Sequence, residues 1–362
     1  MKTEKKNQHY IPKFYLRNFS FQKNDNQIGI YNLDRKFFYQ TSKLKTQGSK
    51  NFFYGYNGIV EDALADIEGY LSTAIRKVIL SQKLPQKSTQ EHIDLLFFVI
   101  LTEARNPVRI ENMKAMMAQM KERILEMHPE ADLKKVVPEL THDDIIAMAL
   151  SDINEMIFYV MDLDYKILKN KTKLPFITSD FPVVKYNQFL ERKKWFQSKS
   201  GYSLTGLQIF IPLNSELVLH FFDSAIYKVG NKKEKIVIIN SEKDINKINE
   251  LQFINCLETI FFDEKAEENY IRSLHEKASK FKRANKPKSK LSYIFEKNDD
   301  AKKLMETEKQ NLIIFNTSDC ENNFTIECIK THSKGKAIKL NPTMAQTRKL
   351  PTQLLKIRQN SR

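Results

Sequence analysis

The chain has 362 residues, a formal charge of +15, nine glycines and three scattered cysteines, Cys256, Cys320 and Cys328. It is long enough to bury a core without disulfide staples, and the cysteines lack the spacing of a disulfide framework, a metal knuckle or a redox pair. The longest apolar run, 95–101, is far short of the roughly 20 residues of a membrane span, and Asn7, Gln8 and His9 follow the basic start where a secretory signal needs an apolar stretch, so a cytoplasmic protein with no membrane partner is expected.

In chain order, the opening H-Y-I-P-K-F-Y-L-R-N-F is followed by two short runs, 27–33 and 36–40, that flank Asp34-Arg35 and predict a hairpin. Val60, Leu64, Ile67, Leu71, Ile75 and Val78 keep helical spacing, which predicts a helix over 60–80 with one stripe facing a core. A second helix is predicted over 89–105. Asn106-Pro107 ends it and opens a third, with Asn106 as N-cap and Pro107 in the first turn. Thr141-His142-Asp143-Asp144 has the form of a capping box, opening a fourth helix to about residue 161.

Past Leu163 the pattern changes to short apolar runs between polar turns, predicting strands at 165–168, 176–178, 207–213, 217–222 and 236–239. Helices are expected over 242–262 and 264–281, and edge strands at 312–315 and 324–329. From His332 onward large apolar residues are few, so 331–362 is expected to be a basic tail, disordered unless bound. The expected architecture is α+β: one domain over 1–330, helix-rich to 162, strand-rich over 163–262, helical and basic over 263–330, with the helical amino-terminal half packed on a mixed or antiparallel sheet.

Charge is concentrated at three places. Residues 1–50 hold eleven basic and three acidic side chains, 277–290 seven basic and no acidic, and 331–362 eight basic and no acidic, leaving the central stretch mildly acidic. That distribution suits a polyanion. Lysine outnumbers arginine 47 to 12, and lysine used simply for solubility gives the same pattern.

Several groups could carry chemistry. His9, Tyr10, Lys13 and Arg17 fall within three helical turns, where lysine and arginine suit a phosphate and histidine could move a proton; packing of the interleaved aromatics is the plainer reading. Glu61 and Glu68, two turns apart on one helix, could hold a divalent cation or pair with lysines. Arg105 and Arg109 flank a fresh helix N-terminus, a plausible anion site, although an arginine satisfying the last carbonyls of the preceding helix would look the same. Asp180 ends the strand-like Phe176-Ile177-Thr178-Ser179 before a proline turn, where a metal ligand or base often sits and where aspartate is also an ordinary turn former. Asp164-Tyr165-Lys166 has the residue types of a nuclease D/E-x-K element. No glycine-rich phosphate loop, G-x-S-x-G or H-E-x-x-H occurs, which argues against P-loop nucleotide hydrolysis and serine-hydrolase chemistry.

Together, the segments 9–19, 105–109, 176–183 and 211–219 resemble the bacterial domain-of-unknown-function family 4238, whose members open with H-Y-[VI]-P-x-F-Y-L-R-x-F and later carry F-[IV]-T-S-D-N-P-V. The matching positions are His9, Tyr10, Pro12, Arg17, Glu61, Arg105, Asp180 and Pro182. Phe181 stands where the pattern usually has asparagine, which puts any role of that amide in doubt. The resemblance implies a fold and a site rather than a function. The scattered acidic and histidine candidates with arginines between them, and the basic extremities, make the leading expectation action on nucleic acid, DNA or RNA, as a metal-dependent nuclease in a toxin or phage-defence setting. Glu61, Glu68 and Asp180 would hold Mg²⁺ or Mn²⁺ or act as base, His9 would carry the proton, and Lys13, Arg17, Arg105 and Arg109 would bind phosphate. The alternative is a non-catalytic nucleic-acid-binding or regulatory module in which the same residues hold the core together.

Overall fold

In a computed structural model the described residues are 6–22, 24–56, 58–281, 283, 287–293, 306, 309–316, 321–340 and 346–353. Parts of the Lys-rich stretch (282 and 284–286) and of the tail (341–345 and 354–362) lie outside them. The amino-terminal part forms β1 (Asn7–His9), α1 (Lys13–Arg17), β2 (Ser20–Phe21), the hairpin β3 (Asn24–Asn32) and β4 (Phe37–Lys43), and β5 (Ser49–Asn51). Helices α2 (Ile59–Ser81), α3 (Gln90–Ala104), α4 (Pro107–Met127), α5 (Leu133–Val136), α6 (His142–Ser151) and α7 (Ile153–Val160) follow. Then come β6 (Asp164–Asn170), β7 (Thr178–Ser179), β8 (Val184–Tyr186), α8 (Gln188–Arg192), β9 (Gln208–Pro212), β10 (Leu217–Phe222), β11 (Tyr227–Val229) and β12 (Ile236–Ile239). The chain continues through α9 (Glu242–Asn255), β13 (Thr259–Phe262), α10 (Glu268–Ala278), β14 (Lys288–Ser292), β15 (Leu312–Asn316), β16 (Ile329–Thr331) and α11 (Ser333–Ala337).

The architecture is α+β, but helices and strands are interspersed rather than segregated into halves. A five-stranded sheet, in the order β12-β6-β10-β9-β8, is antiparallel except for the parallel β12–β6 pair. Both of its faces are buried, which is why its strands read as continuous apolar runs. Tyr165, Ile167, Ile209, Ile211, Leu217, Leu219 and Phe221 point into one core with α2, α3, α6 and α7. Their neighbours Leu168, Phe210, Val218 and Phe222 point into the other with α8, α9 and α10. Each fully buried side chain of this size stabilises the fold by about 1.5–3 kcal/mol.

The second sheet joins chain ends that the sequence does not place together. β3 pairs with β2, β4 and β13, and β13 continues to β7. The helix expected over 242–262 therefore stops at Asn255. Cys256 is already extended, and Thr259-Ile260-Phe261-Phe262, a β-branched and aromatic run, is claimed by strand partners on both sides. The expected fourth helix is opened by the Thr141 capping box and is split at Asp152. Residues 324–329 are not an edge strand: Phe324 and Ile326 pack into the second core, and only Ile329–Thr331 pairs, with β11. The tail is also ordered where it is described. β16, α11 and the segment 346–353 lie on the domain, and Arg348 is 5% exposed. Among the described residues no helix is long and apolar enough to cross a membrane.

Candidate functional site

The junction between α3 and α4 organises the sequence-flagged residues. Asn106 caps α4 by accepting from the Val108 N–H at 3.0 Å, and its Nδ2 donates to the Asp180 carbonyl at 2.7 Å. Arg105, on one side of it, is 1% exposed. Its Nε donates to the Tyr10 carbonyl at 3.0 Å and its Nη1 to Glu68 Oε1 at 2.7 Å. Arg105 thus ties α3 to α2 and to the opening motif, a structural role, but with other partners than the last carbonyls of α3.

The opening motif is largely interior. Ile11, Tyr15, Leu16 and Phe19 are fully buried, and the Tyr15 hydroxyl donates to the Pro212 carbonyl at 2.7 Å while lying 2.7 Å from Thr178 Oγ1. His9 Nε2 bonds to the Lys45 carbonyl at 3.1 Å. Burial, with the charges of Lys13 and Arg105, pushes the imidazole down to about 4, so it is neutral at pH 7. Lys13 and Arg17 are exposed on α1, one turn apart.

Asp180 is 3% exposed, and its carboxylate accepts from the backbone N–H groups of Leu257 at 2.7 Å, Glu258 at 2.8 Å and Thr259 at 2.9 Å. Burial pushes it up to about 6, while the three N–H groups pull the other way. Those contacts pin the α9–β13 turn and leave little acceptor capacity for a cation. Glu68 is committed to Arg105, and Glu61 lies in the first turn of α2 within the field of the same guanidinium. The structure therefore gathers His9, Tyr10, Glu61, Glu68 and Arg105 around one buried arginine, with the Asp180 carboxylate turned to a different loop. Among the described residues no group of three or more His, Cys, Asp or Glu is placed to hold a metal ion. The D-x-K tripeptide also separates: Lys166 Nζ donates to the carbonyls of Val229 and Asn231, while Asp164 pairs with Lys87.

Arg109, one turn along α4, faces the opposite way, into a cavity of about 430 Å³. Its walls come from the start of α4, from Phe181 and β8, from the loop 198–201 and from the end of α9. Among the described residues no hydrogen-bond partner reaches the buried Arg109 Nε. Glu103, 3% exposed, accepts from Lys185 Nζ at 2.7 Å and from the Tyr202 hydroxyl at 2.6 Å. Burial pushes its carboxyl up, but Lys185, Arg109 and the Tyr202 hydroxyl outweigh this and hold it below its ordinary value. Glu191 accepts from the N–H groups of Asn322 and Asn323 and from the Tyr186 hydroxyl, and burial raises it. Lys199 Nζ pairs with Glu321 at 2.7 Å, and Arg283 stands at the rim, donating to the Leu257 carbonyl. Apolar wall is supplied by Val108, Phe181, Leu251 and Ile254.

Of the sequence candidates only Arg109 lines this cavity. Glu103, Lys185, Glu191 and Lys199 were not anticipated. A signal existed for the first two: Glu103 closely follows the apolar run 95–101 on its helix, and Lys185 interrupts an apolar strand, each a charge that must find a partner when buried.

The family pattern of DUF4238, described as a protein of unknown function, matches residues 7–266. The chain belongs to that family. The matched span covers the opening motif, the α3–α4 junction, Asp180 and most of the cavity wall, whereas Arg283, Glu321 and Asn322 lie beyond it. No curated protein and no solved structure shows a match.

Proposed function

We propose that the protein binds nucleic acid without cutting it, taking a phosphate-bearing nucleotide into the cavity beside Arg109. The observation that carries this is the Arg109 guanidinium, whose buried Nε has no partner among the described residues, in a cavity where Lys185 is paired with Glu103 and Lys199 with Glu321, while Arg283 stands at the rim. A planar guanidinium suits a phosphate in this position. The volume fits a ligand of nucleotide size, and Phe181, Val108 and Ile254 offer an apolar wall for a base. Arg283 belongs to the Lys-rich stretch 277–290, which brings part of the basic character onto the cavity rim.

The metal-dependent nuclease is the second reading, and the geometry favours it less. Cutting would need the Asp180 oxygens, and these are taken by three backbone N–H groups. Two measurements on the pure protein separate the readings. Titration of 5′-phosphorylated oligonucleotides should show binding that Arg109→Ala weakens by tenfold or more, the scale of one charge-assisted contact of about 1.5–3 kcal/mol. Equal affinity in parent and variant removes Arg109 from the site. Incubation of plasmid, single-stranded DNA and tRNA with Mg²⁺ or Mn²⁺, against chelator, should leave all three intact. Metal-dependent cutting abolished by Glu61→Ala, or by Asp180→Ala with the variant still folded, would restore the nuclease.

A further inference from the structure

The hairpin β3–β4 carries a second group of residues suited to nucleic acid. β4 pairs only with β3 among the described strands, so it is an edge, and Phe37, Tyr39, Thr41 and Lys43 are its exposed residues. Phe37 is 53% and Tyr39 46% exposed. Their rings lie 6.0 Å apart and within 16° of parallel, forming a single π-surface turned to solvent. Two adjacent exposed aromatics on an open edge are a liability unless something covers them. The three steps of β4 from Tyr39 to Ser42 span two of β3 from Ile30 to Ile28, so this bulge interrupts the alternation; Phe37 and Tyr39 share a face, and Lys43 is exposed beyond the bulge. Arg35 and Lys36 are exposed in the turn just before Phe37. Residues 35–50 hold five basic side chains, Arg35, Lys36, Lys43, Lys45 and Lys50, and no acidic one; all five are exposed.

We infer that the outer face of β4 at Phe37 and Tyr39 is a docking strip for single-stranded nucleic acid, with bases stacking on the two rings and phosphates meeting Arg35 and Lys36. Charge selects the occupant. Exposed aromatic rings alone would suit many apolar partners, but rings bordered by five exposed cations against one exposed carboxylate, Asp34, suit a strand that offers flat π-faces and a phosphate at each step. A duplex hides its base faces within the helix, so it would gain only the charge contacts. For the class of its ligand the strip rests on the nucleic-acid reading, but it shares no residue with the cavity.

The test is fluorescence anisotropy with labelled oligo-dT and with a duplex of equal length. Phe37→Ala/Tyr39→Ala should weaken oligo-dT binding by about tenfold or more, as base–aromatic stacking predicts, and weaken duplex binding much less. Phe37→Leu/Tyr39→Leu keeps an apolar edge and should lose affinity similarly, which separates stacking from greasiness. Tyr39→Trp gives a direct readout: the sole native tryptophan, Trp195, is 5% exposed, so oligo-dT should quench the added emission. If the parent binds no oligonucleotide, the nucleic-acid reading falls and the strip with it. If the parent binds and the double variants bind equally well, the strip alone is overturned. A parent dimer that both double variants convert to monomer, with oligo-dT affinity unchanged, would make this face a contact between two copies and also overturn the strip.

Discussion

Asp180→Ala distinguishes a tie that holds the fold from a group that meets a ligand. The carboxylate accepts three backbone N–H groups, from Leu257, Glu258 and Thr259, at 2.7–2.9 Å. Removing it orphans all three in a partly buried turn, at about 1 kcal/mol each, so a loss near 3 kcal/mol is expected at pH 7.5. The loss should depend on pH. Burial raises Asp180 from its ordinary 3.8 to about 6, so the folded protein holds this proton more tightly than the unfolded chain. The stability that Asp180 contributes is therefore fully present below about pH 4 and declines as pH rises through 6, by about 2 kcal/mol between pH 4.5 and 7.5. The parent–variant gap should be wider at pH 4.5 than at pH 7.5 by that amount. Urea melts of both proteins at the two pH values measure it, and other titrating groups cancel in the difference. A variant that melts like its parent at both pH values yet fails to bind oligonucleotide would refute the structural role and return Asp180 to the site.

Two further outcomes follow from the contacts of the opening motif and of the tail. His9→Ala should lower stability by about 1–2 kcal/mol, since His9 is buried and bonded to Lys45, whereas Arg17→Ala should stay within about 0.5 kcal/mol because Arg17 is exposed; equal effects in thermal melts would contradict the placement of one of them. Arg348 pairs with Asp162 at 2.9 Å and donates to the carbonyls of Tyr159, Tyr202 and Leu204, so Arg348→Ala should cost about 3 kcal/mol. The same change should speed hydrogen exchange at the Thr205 amide, which bonds to the Gln346 carbonyl beside the cavity loop; unchanged exchange there would show that the tail does not brace that loop.

Much of the fold was legible in local pattern. The stripe over 60–80, the Asn106-Pro107 stop and start, the Thr141 capping box, the hairpin about Asp34-Arg35 and the strand 236–239 each depend on spacing or on one capping side chain, which act within a few residues. The opening motif was also legible as a unit, because aromatics interleaved with polar residues mark a packed segment, and family membership followed from it. What the spacing could not decide was where a buried charge finds its partner. Asp180 reads as a strand-end ligand until Leu257, Glu258 and Thr259 are brought to it across more than seventy residues, and the apolar run 259–262 continues a helix until β3 and β7 flank it. The tail reads as free by composition, yet Arg348 is drawn inward by one carboxylate and three carbonyls supplied by distant loops. Arg105 and Arg109 are alike in sequence. Tertiary structure alone separates them, because one α-helical turn and the direction of each side chain send the first into a salt bridge with Glu68 and the second into the cavity.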